Sequence, residues 1–494
     1  MEFINQTPFS ALAYTAIDVQ DREYRVVAMA VAYRLEPDPT QAGQWSLRVI
    51  DEESPPLCLA DDYFGPVNES SVRRESDLCP FKPKCDILVS GSAHAPGGQA
   101  QRRFQVRLVV RRADRPAPLP ERPQPLNPCM PLTVAQESAW QKELEASRGR
   151  ILAGETLVDK TLNIHGPRFL KRRAFPVRLL QELLRWGSLG LLDPNPWRLT
   201  RAERISQLPL RYEYSYGGQC RINQRDNRHL PGDPAALQDD PGPARRVGKQ
   251  YRLTAEELAG HPDAAAPAAR QAVAHGCCEA NPLGQGYARK WYLKAARIKQ
   301  LAAPQIESPQ TPFSAGSFWR SLSDRKTGSP EPAGLGPVGR AWQPRRARAG
   351  TYDENWKSRR WPLLPEDFDF GYWNCAPADQ QTAYLEGDEH LFLENLVAPD
   401  SPGSQRDEEG NTSVRLKLPG HRVFVLARFE NGGLYPLRSV IDTLHLELEH
   451  PEGPRLTCLW RSLVPSALPL AVLEGRFEMD PSAPLLKFES KEAA

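Results

Sequence analysis

Residues 334–396 read GLGPVGRAWQPRRARAGTYDENWKSRRWPLLPEDFDFGYWNCAPADQQTAYLEGDEHLFLENL. Tryptophan, glycine, proline and charge are concentrated here, and neither a helical nor a strand period is sustained. Such a ribbon cannot be held by its own regular hydrogen bonding. It must lie across other elements, pinned by large apolar side chains, with prolines fixing its path. The expected structural anchors are Trp342, Arg345, Tyr352, Asp353, Trp356 and Trp361, with Trp373 as a further apolar anchor. Its charges fall into two limbs. Arg340, Arg345, Arg346, Arg348, Lys357, Arg359 and Arg360 dominate the first, against Asp353 and Glu354. After Trp361 come Glu366, Asp367, Asp369, Asp379, Glu386, Asp388, Glu389 and Glu394, with no lysine or arginine. The two limbs can satisfy one another, or a partner, through arginine–carboxylate forks.

Working outward, the chain has 494 residues, 40% hydrophobic and 25% charged, which describes a globular protein of two to four domains. Its 48 prolines and 34 glycines favour turns, edge strands and extended connections over long helices. On the N-terminal side, YRVVAMAVAYRL (24–35), Trp45–Ile50, CDILVSGSAH (85–94) and FQVRLVV (104–110) read as strands. The run RRADRPAPLPERPQPLNPCMP (111–131) reads as an extended spacer. ETLVDKTLNIHG (155–166) and RYEYSYGG (211–218) resume strand-like text, and VRLLQELLRW (177–186) has helical spacing that Gly187 stops. Residues 221–250 and 298–333 read as loops. Thr254-Ala-Glu-Glu257 is a capping box for a short helix, and a second helix is expected over the alanine-rich 264–275 run.

Beyond the ribbon, Val423–Phe429 and Tyr435–Ile441 flank Asn431-Gly432-Gly433, and Leu444–Leu448 and Arg455–Leu459 flank Pro451-Glu-Gly453. Both are hairpin signals, because these turn residues accept positive φ. Residues 471–479 add a last strand. The expected fold is mainly β (α+β): several antiparallel β-sandwich-like modules joined by the irregular ribbon, with a few short helices. The expected division is an N-terminal β module (1–111), a proline-rich linker (112–150), a second β module with a helical insertion (151–333), the crossing segment (334–400) and a C-terminal hairpin module (401–494).

Formal net charge is only +2, so no global electrostatic footprint points to nucleic acid or an anionic membrane. MEFINQTPFSALAY has neither a basic n-region nor an apolar h-region, and no run approaches a membrane span. Nine cysteines, an odd number, fit reduced thiols, so the cytoplasm is the expected compartment. Gly334-x-Gly336-x-x-Gly339 matches a dinucleotide fingerprint on paper, but prolines precede it where a strand is needed and Pro344 interrupts the helix that must follow. His275, Cys277 and Cys278 lack the paired C-x-x-C spacing of a zinc site, and no G-x-S-x-G supports a serine hydrolase. The arginines beside Trp342, Tyr352 and Trp356 mimic a nucleic-acid surface, yet the acidic limb behind them argues for internal pairing. No cofactor or metal is expected.

Several pieces also carry a resemblance. ESDLCPFKPKCDILVSGSAHAP (75–96), VDKTLNIHGPRFL (158–170), LPLRYEYSYGG (208–218), NPLGQGY (281–287), GPVGRAWQPRRARAGTYDENW (336–356), PLLPEDFDF (362–370), NCAPADQQ (374–381) and YLEGDEHLFLENL (384–396) resemble, in order, the signatures of the bacterial 2169 domain-of-unknown-function family. The resemblance implies an adaptor or chaperone of type VI secretion, not an enzyme, which helps mount a toxic effector on the secreted spike. The implied partners are a secreted effector or a spike-tip (PAAR-like) protein. The stretch before Asn281 and the 111–131 run look longer than those motifs require, which bears on cargo specificity. A partner-binding surface is expected at Trp373, flanked by Asp367, Asp369, Tyr372, Asn374 and Gln380. The alternatives are a carbohydrate- or cell-wall-active hydrolase using the acidic 366–389 region, or a structural component of an assembly.

Overall fold

A computed structural model describes residues 2–52, 54–67, 69–124, 132–188, 195–223, 272–295, 298–323 and 330–486. The organising strand is Glu23–Pro37, EYRVVAMAVAYRLEP, in which Val26 to Tyr33 are all buried. Its lack of polar alternation has a cause: both faces are covered. Met29, Val31, Tyr33 and Leu35 enter the main core, whereas Ala30 on the opposite face meets Leu57 and Leu459. By contrast Arg103–Arg111 alternates, turning Phe104, Val106, Leu108 and Val110 inward.

These strands belong to one mixed thirteen-stranded sheet. Its path runs Ile306–Glu307, Thr156–His165, Arg103–Arg111, His390–Glu394, Thr412–Lys417, Gln44–Val49, Glu23–Pro37, Arg455–Pro465, Val440–Glu447, Cys85–Ser90 and Gln381–Thr382. Ser10–Ile17 and Gln405–Arg406 pair alongside it. Most neighbours are antiparallel, but Val440–Glu447 runs parallel to Cys85–Ser90 and Thr412–Lys417 parallel to Gln44–Val49. The 1–111, 151–333, 334–400 and 401–494 stretches thus all contribute strands to this sheet. One continuous cluster, from Phe9 to Trp460, fills its interior. Truncating a side chain there, such as Leu108 or Leu391, costs about 2–5 kcal/mol.

A second, four-stranded sheet has the order Glu2–Asn5, Leu470–Glu478, Arg422–Phe429, Leu434–Arg438. It covers Val27 with Val425, Ala427 and Leu473. Both expected hairpins form: Gly432 and Gly453 adopt φ of 82° and 101° in their turns.

The helix expected at 177–186 runs Phe175–Gly187. Two further helices depart from the expectation. Val134–Ser147 lies within the expected linker, opened by a reciprocal Thr133/Gln136 capping box, and buries no residue. Ala315–Ser323 lies in a stretch expected to be loop and drives Phe318 against Leu170 and Trp197. The 254–257 capping box lies outside the described residues, as does the expected 264–275 helix up to residue 271. Residues 272–275 correct that expectation: Ala272–Cys277 is a strand paired with Gln219–Asn223. Among the described residues, no helix is long and apolar enough to cross a membrane.

Candidate functional site

The ribbon folds into short turns rather than long elements: helices Gln343–Arg346 and Glu354–Arg359, and 3-10 turns Phe370–Trp373 and Ala378–Gln380. It lies against the Cys85–Ser90 end of the large sheet. Val89 N donates to Leu335 O at 3.0 Å, Val338 N to Cys375 O at 2.7 Å, and Gln381–Thr382 pairs antiparallel with Cys85–Asp86. The 75–86 loop and the ribbon therefore face each other, and three buried polar nodes join them to the sheet.

The first node centres on Glu75, which accepts from Arg345 Nη2 at 2.9 Å and from Arg340 Nε. Arg345 is 4% exposed and donates also to Val338 O and Tyr372 O, so one guanidinium ties four segments. Burial alone raises the Glu75 carboxyl, but Arg345, Arg340 and Lys82 outweigh it and hold the pKa below the ordinary glutamate value. The second node is Asp86, fully buried inside a strand. Its Oδ1 accepts from Asn374 Nδ2 and Ala376 N at 3.1 Å each; its Oδ2 accepts from Lys82 Nζ at 2.8 Å and Cys375 N at 2.9 Å. Burial pushes the Lys82 ammonium down, but Asp86 beside it prevails and raises its pKa well above the usual lysine value. In the third node Lys160 Nζ donates to Asp379 at 2.6 Å and to Gln380 Oε1 at 2.8 Å, and Gln380 Nε2 caps Ile87 O and Leu335 O.

These nodes correct the expectation of two limbs that satisfy one another. Between the limbs only a loose Arg348–Asp369 contact of 3.8 Å appears among the described residues. Each limb reaches elsewhere instead: Arg360 forks onto Asp21 at 2.9 Å, Glu389 accepts from Arg112 at 2.6 Å, and Glu386 pairs with Arg115. The ribbon is a clasp: Arg340, Arg345, Arg360, Asp379, Glu386 and Glu389 are each fixed on parts of the body outside it.

The expected partner-facing residues divide. Asn374 and Gln380 are 1% and 0% exposed and turned inward, contrary to the expectation that they meet a partner. Asp367 and Asp369 stay at the surface, where Asp367 accepts from Thr351 N and Oγ1 and Asp369 caps Gly371 N at 2.8 Å. Tyr372 and Trp373 are half-buried, edge to face at 5.3 Å, with the Arg340 guanidinium 5.5 Å over the Trp373 ring. Trp373 Nε1 finds no acceptor among the described residues.

The anchors also divide. Trp342 is buried edge to face on Tyr212 at 5.1 Å, and Asp353 caps the next helix through Trp356 N at 2.8 Å. Trp356 Nε1 donates to Leu363 O at 2.9 Å. Tyr352 and Trp361 do not enter the core: they stay 55% and 67% exposed and pack on Trp356. Glu75, Lys82, Asp86 and Lys160 were not singled out from the sequence. A signal existed for Asp86, an acid inside the apolar run CDILV, which a fold keeps only with partners.

A cavity of about 1130 Å³ opens elsewhere, among Tyr216, Tyr287, Arg289, Phe313 and Trp319. The ribbon contributes only Gln343 to its walls, and the acids there are Glu279, Glu307 and Glu331. Glu307 is buried and paired with Arg168, with His165 Nε2 at 3.3 Å. Among the described residues, no group of three or more His, Cys, Asp or Glu side chains is arranged to hold a metal.

Compared with protein families, the chain matches the model described as "Uncharacterized protein conserved in bacteria (DUF2169)" over residues 20–118 and 138–461. No curated protein and no solved structure matches it. The matched residues contain all three nodes and the whole ribbon. The chain therefore belongs to the DUF2169 family of uncharacterized proteins conserved in bacteria.

Proposed function

We propose that this chain is a non-catalytic adaptor that holds a type VI secretion effector, or its spike-tip (PAAR-like) domain, in the cytoplasm before loading. The cargo class comes from the motif resemblance described above. The observation that carries the non-catalytic half is the internal commitment of the buried charges. A general acid or base needs a free proton or lone pair facing a substrate-sized space. Glu75, Asp86 and Glu389 are buried and accept from donors of this chain, and of the acids in the cavity wall the buried Glu307 is committed to Arg168. What the ribbon offers outward is a rigidly clasped surface with Tyr352, Trp361 and the half-buried Trp373, and aromatic side chains of this kind dominate protein–protein recognition.

The test is co-purification with the spike-tip and effector proteins encoded beside its gene. Capture of one of them at micromolar concentration or below is expected. Capture of neither, together with hydrolysis of cell-wall glycan that Asp367→Asn or Asp369→Asn abolishes, would replace the adaptor with a hydrolase.

A further inference from the structure

The strand Ser10–Ile17, SALAYTAI, is an edge of the large sheet: it pairs with Glu23–Pro37 along its whole length, and among the described residues no strand pairs with its other side. The phase of the ladder fixes what that open side presents, because successive residues of an antiparallel strand point their N–H and C=O alternately to one neighbour and the other. Arg455–Pro465 occupies one side of Glu23–Pro37 from Tyr24 to Arg34, so Ser10–Ile17 and Gln44–Val49 both lie on the opposite side. Leu35 N donates to Pro454 O on the first side, and Ile50 N donates to Ala32 O on the second, each at 2.9 Å. The even-numbered residues of Glu23–Pro37 thus bond toward Ser10, Leu12, Tyr14 and Ala16. Ala11, Ala13, Thr15 and Ile17 turn their N–H and C=O outward, and these groups have no hydrogen-bond partner among the described residues.

An open edge is a template for another strand, and folds blunt it with short strands, prolines, bulges or charges. This fold does so elsewhere. The path of the large sheet ends in the two-residue strands Ile306–Glu307 and Gln381–Thr382. The second sheet ends in Leu434–Arg438, where Phe429 N bonds Gly433 O and Ser439 N bonds Val423 O; that phase leaves the nitrogen of Pro436 facing outward, with no proton to offer. Ser10–Ile17 has none of these devices: it is eight residues long, unbulged, and free of proline and charge. What complements a bare row of amides and carbonyls is the edge of another strand, and two features say whose. Ala11 and Ala13 pack their side chains on this chain's own cores and Thr15 is short, so the edge has no pockets by which to choose a foreign peptide. The cover must also be at hand in every copy, whatever else is bound. A second copy meets both conditions. About a two-fold axis at Tyr14, Ala11 meets the partner's Ile17 and Ala13 meets the partner's Thr15, so every outward N–H and C=O of both strands is used. Leu12, 38% exposed, then faces the partner's Ala16, and no like charges are brought together.

We propose that this chain is a homodimer formed by antiparallel pairing of the Ser10–Ile17 edges, the large sheet of one copy running on into that of the other. Light scattering of the full chain at 50 μM should give twice the 55.4 kDa of one chain. Thr15→Pro removes an outward N–H and sets a ring in the partner's path while keeping every bond to Glu23–Pro37. Leu12→Lys puts a charge on the edge. Both variants should keep the wild-type circular dichroism, and each should weaken dimerisation more than tenfold. In Leu12→Cys/Ala16→Cys, mild oxidation should link residue 12 of one copy to residue 16 of the other, a bond that mass spectrometry maps. A wild-type chain that is monomeric at 50 μM overturns the proposal, as does a dimer that both edge variants leave at wild-type strength or that fails to form the 12–16 link. A monomer whose capture of a spike-tip or effector protein is lost in Thr15→Pro overturns it as well and gives the edge to cargo.

Discussion

Glu75 and Arg345, 270 residues apart in sequence, meet in a buried ion pair of 2.9 Å. Around it the 75–86 loop, the ribbon and the large sheet share donors and acceptors, so the region is fixed by a few fully desolvated contacts rather than by regular secondary structure.

Removing one member of that pair leaves a buried charge or buried carbonyls without partners. Arg345→Ala is expected to cost about 3–5 kcal/mol and to shift the urea midpoint downward. The same variant should open the ribbon to limited proteolysis between residues 336 and 373, since Val338 O and Tyr372 O lose their donor. The double variant Glu75→Gln/Arg345→Met should lose less than the sum of its singles, which a double-mutant cycle measures.

Asn281 is fully buried and donates to Tyr212 O and Tyr216 O at 2.9 Å each. Asn281→Ala orphans both carbonyls, at about 1–3 kcal/mol. Gly217→Ala should be worse: its φ is 153°, and an added Cβ would stand 2.1 Å from Asn281 O. Thermal melts of the two variants, ranked in that order, check the assignment.

Burial drives the pKa of His445 down to about 4; Glu447 opposes this, while Arg74, Arg455 and Arg73 add to it. The sign follows from proton counting. Between pH 6.5 and about 4 the unfolded chain binds a proton at this site that the folded chain refuses. The stabilisation from keeping His445 neutral is therefore complete above pH 6.5 and lost as pH falls toward 4, at about 1.4 kcal/mol per pH unit. His445→Gln, able to keep a hydrogen bond to Ser90 Oγ, should flatten urea midpoint against pH across that window. An unchanged slope would exclude His445 as its source.

Cys79, Cys85, Cys375 and Cys458 are buried, and burial pushes each thiol above its ordinary range. Iodoacetamide labelling of the native protein, mapped by mass spectrometry, should modify none of these four within an hour at pH 7.5. Among the described cysteines, Cys58 and Cys277 are partly exposed and should react first, slowly, because their thiols are raised too.

Much of the strand content was legible because period-two patterning and turn glycines are local signals. Arg103–Arg111 and the Asn431–Gly433 hairpin are examples. Strand partners were not legible: nothing local in YRVVAMAVAYRL says that Arg455–Pro465 lies beside it. Of the helices that went unread, two show different reasons. Thr133-x-x-Gln136 is a capping box hidden behind prolines, while Ala315–Ser323 owes its place to tertiary burial of Phe318. At the ribbon, Trp342 and Arg345 could be picked as anchors from residue type, but Asn374 and Gln380 could not be assigned a direction. A buried amide and an exposed one look alike until the carbonyls they serve, Lys84 O, Ile87 O and Leu335 O, are in place.

The pairing of Arg34 with Arg455 bears on how the polypeptide is made. At ~5–20 residues per second, a ribosome delivers the second strand roughly 20–80 s after the first. Until then the stretch from Val26 to Leu35 lacks one hydrogen-bonded neighbour, and its apolar side chains await a lid from the far end of the message. A nascent chain arrested before Arg455 should accordingly be cut by protease within that stretch and recruit holdase chaperones, whereas release of the full length should silence both.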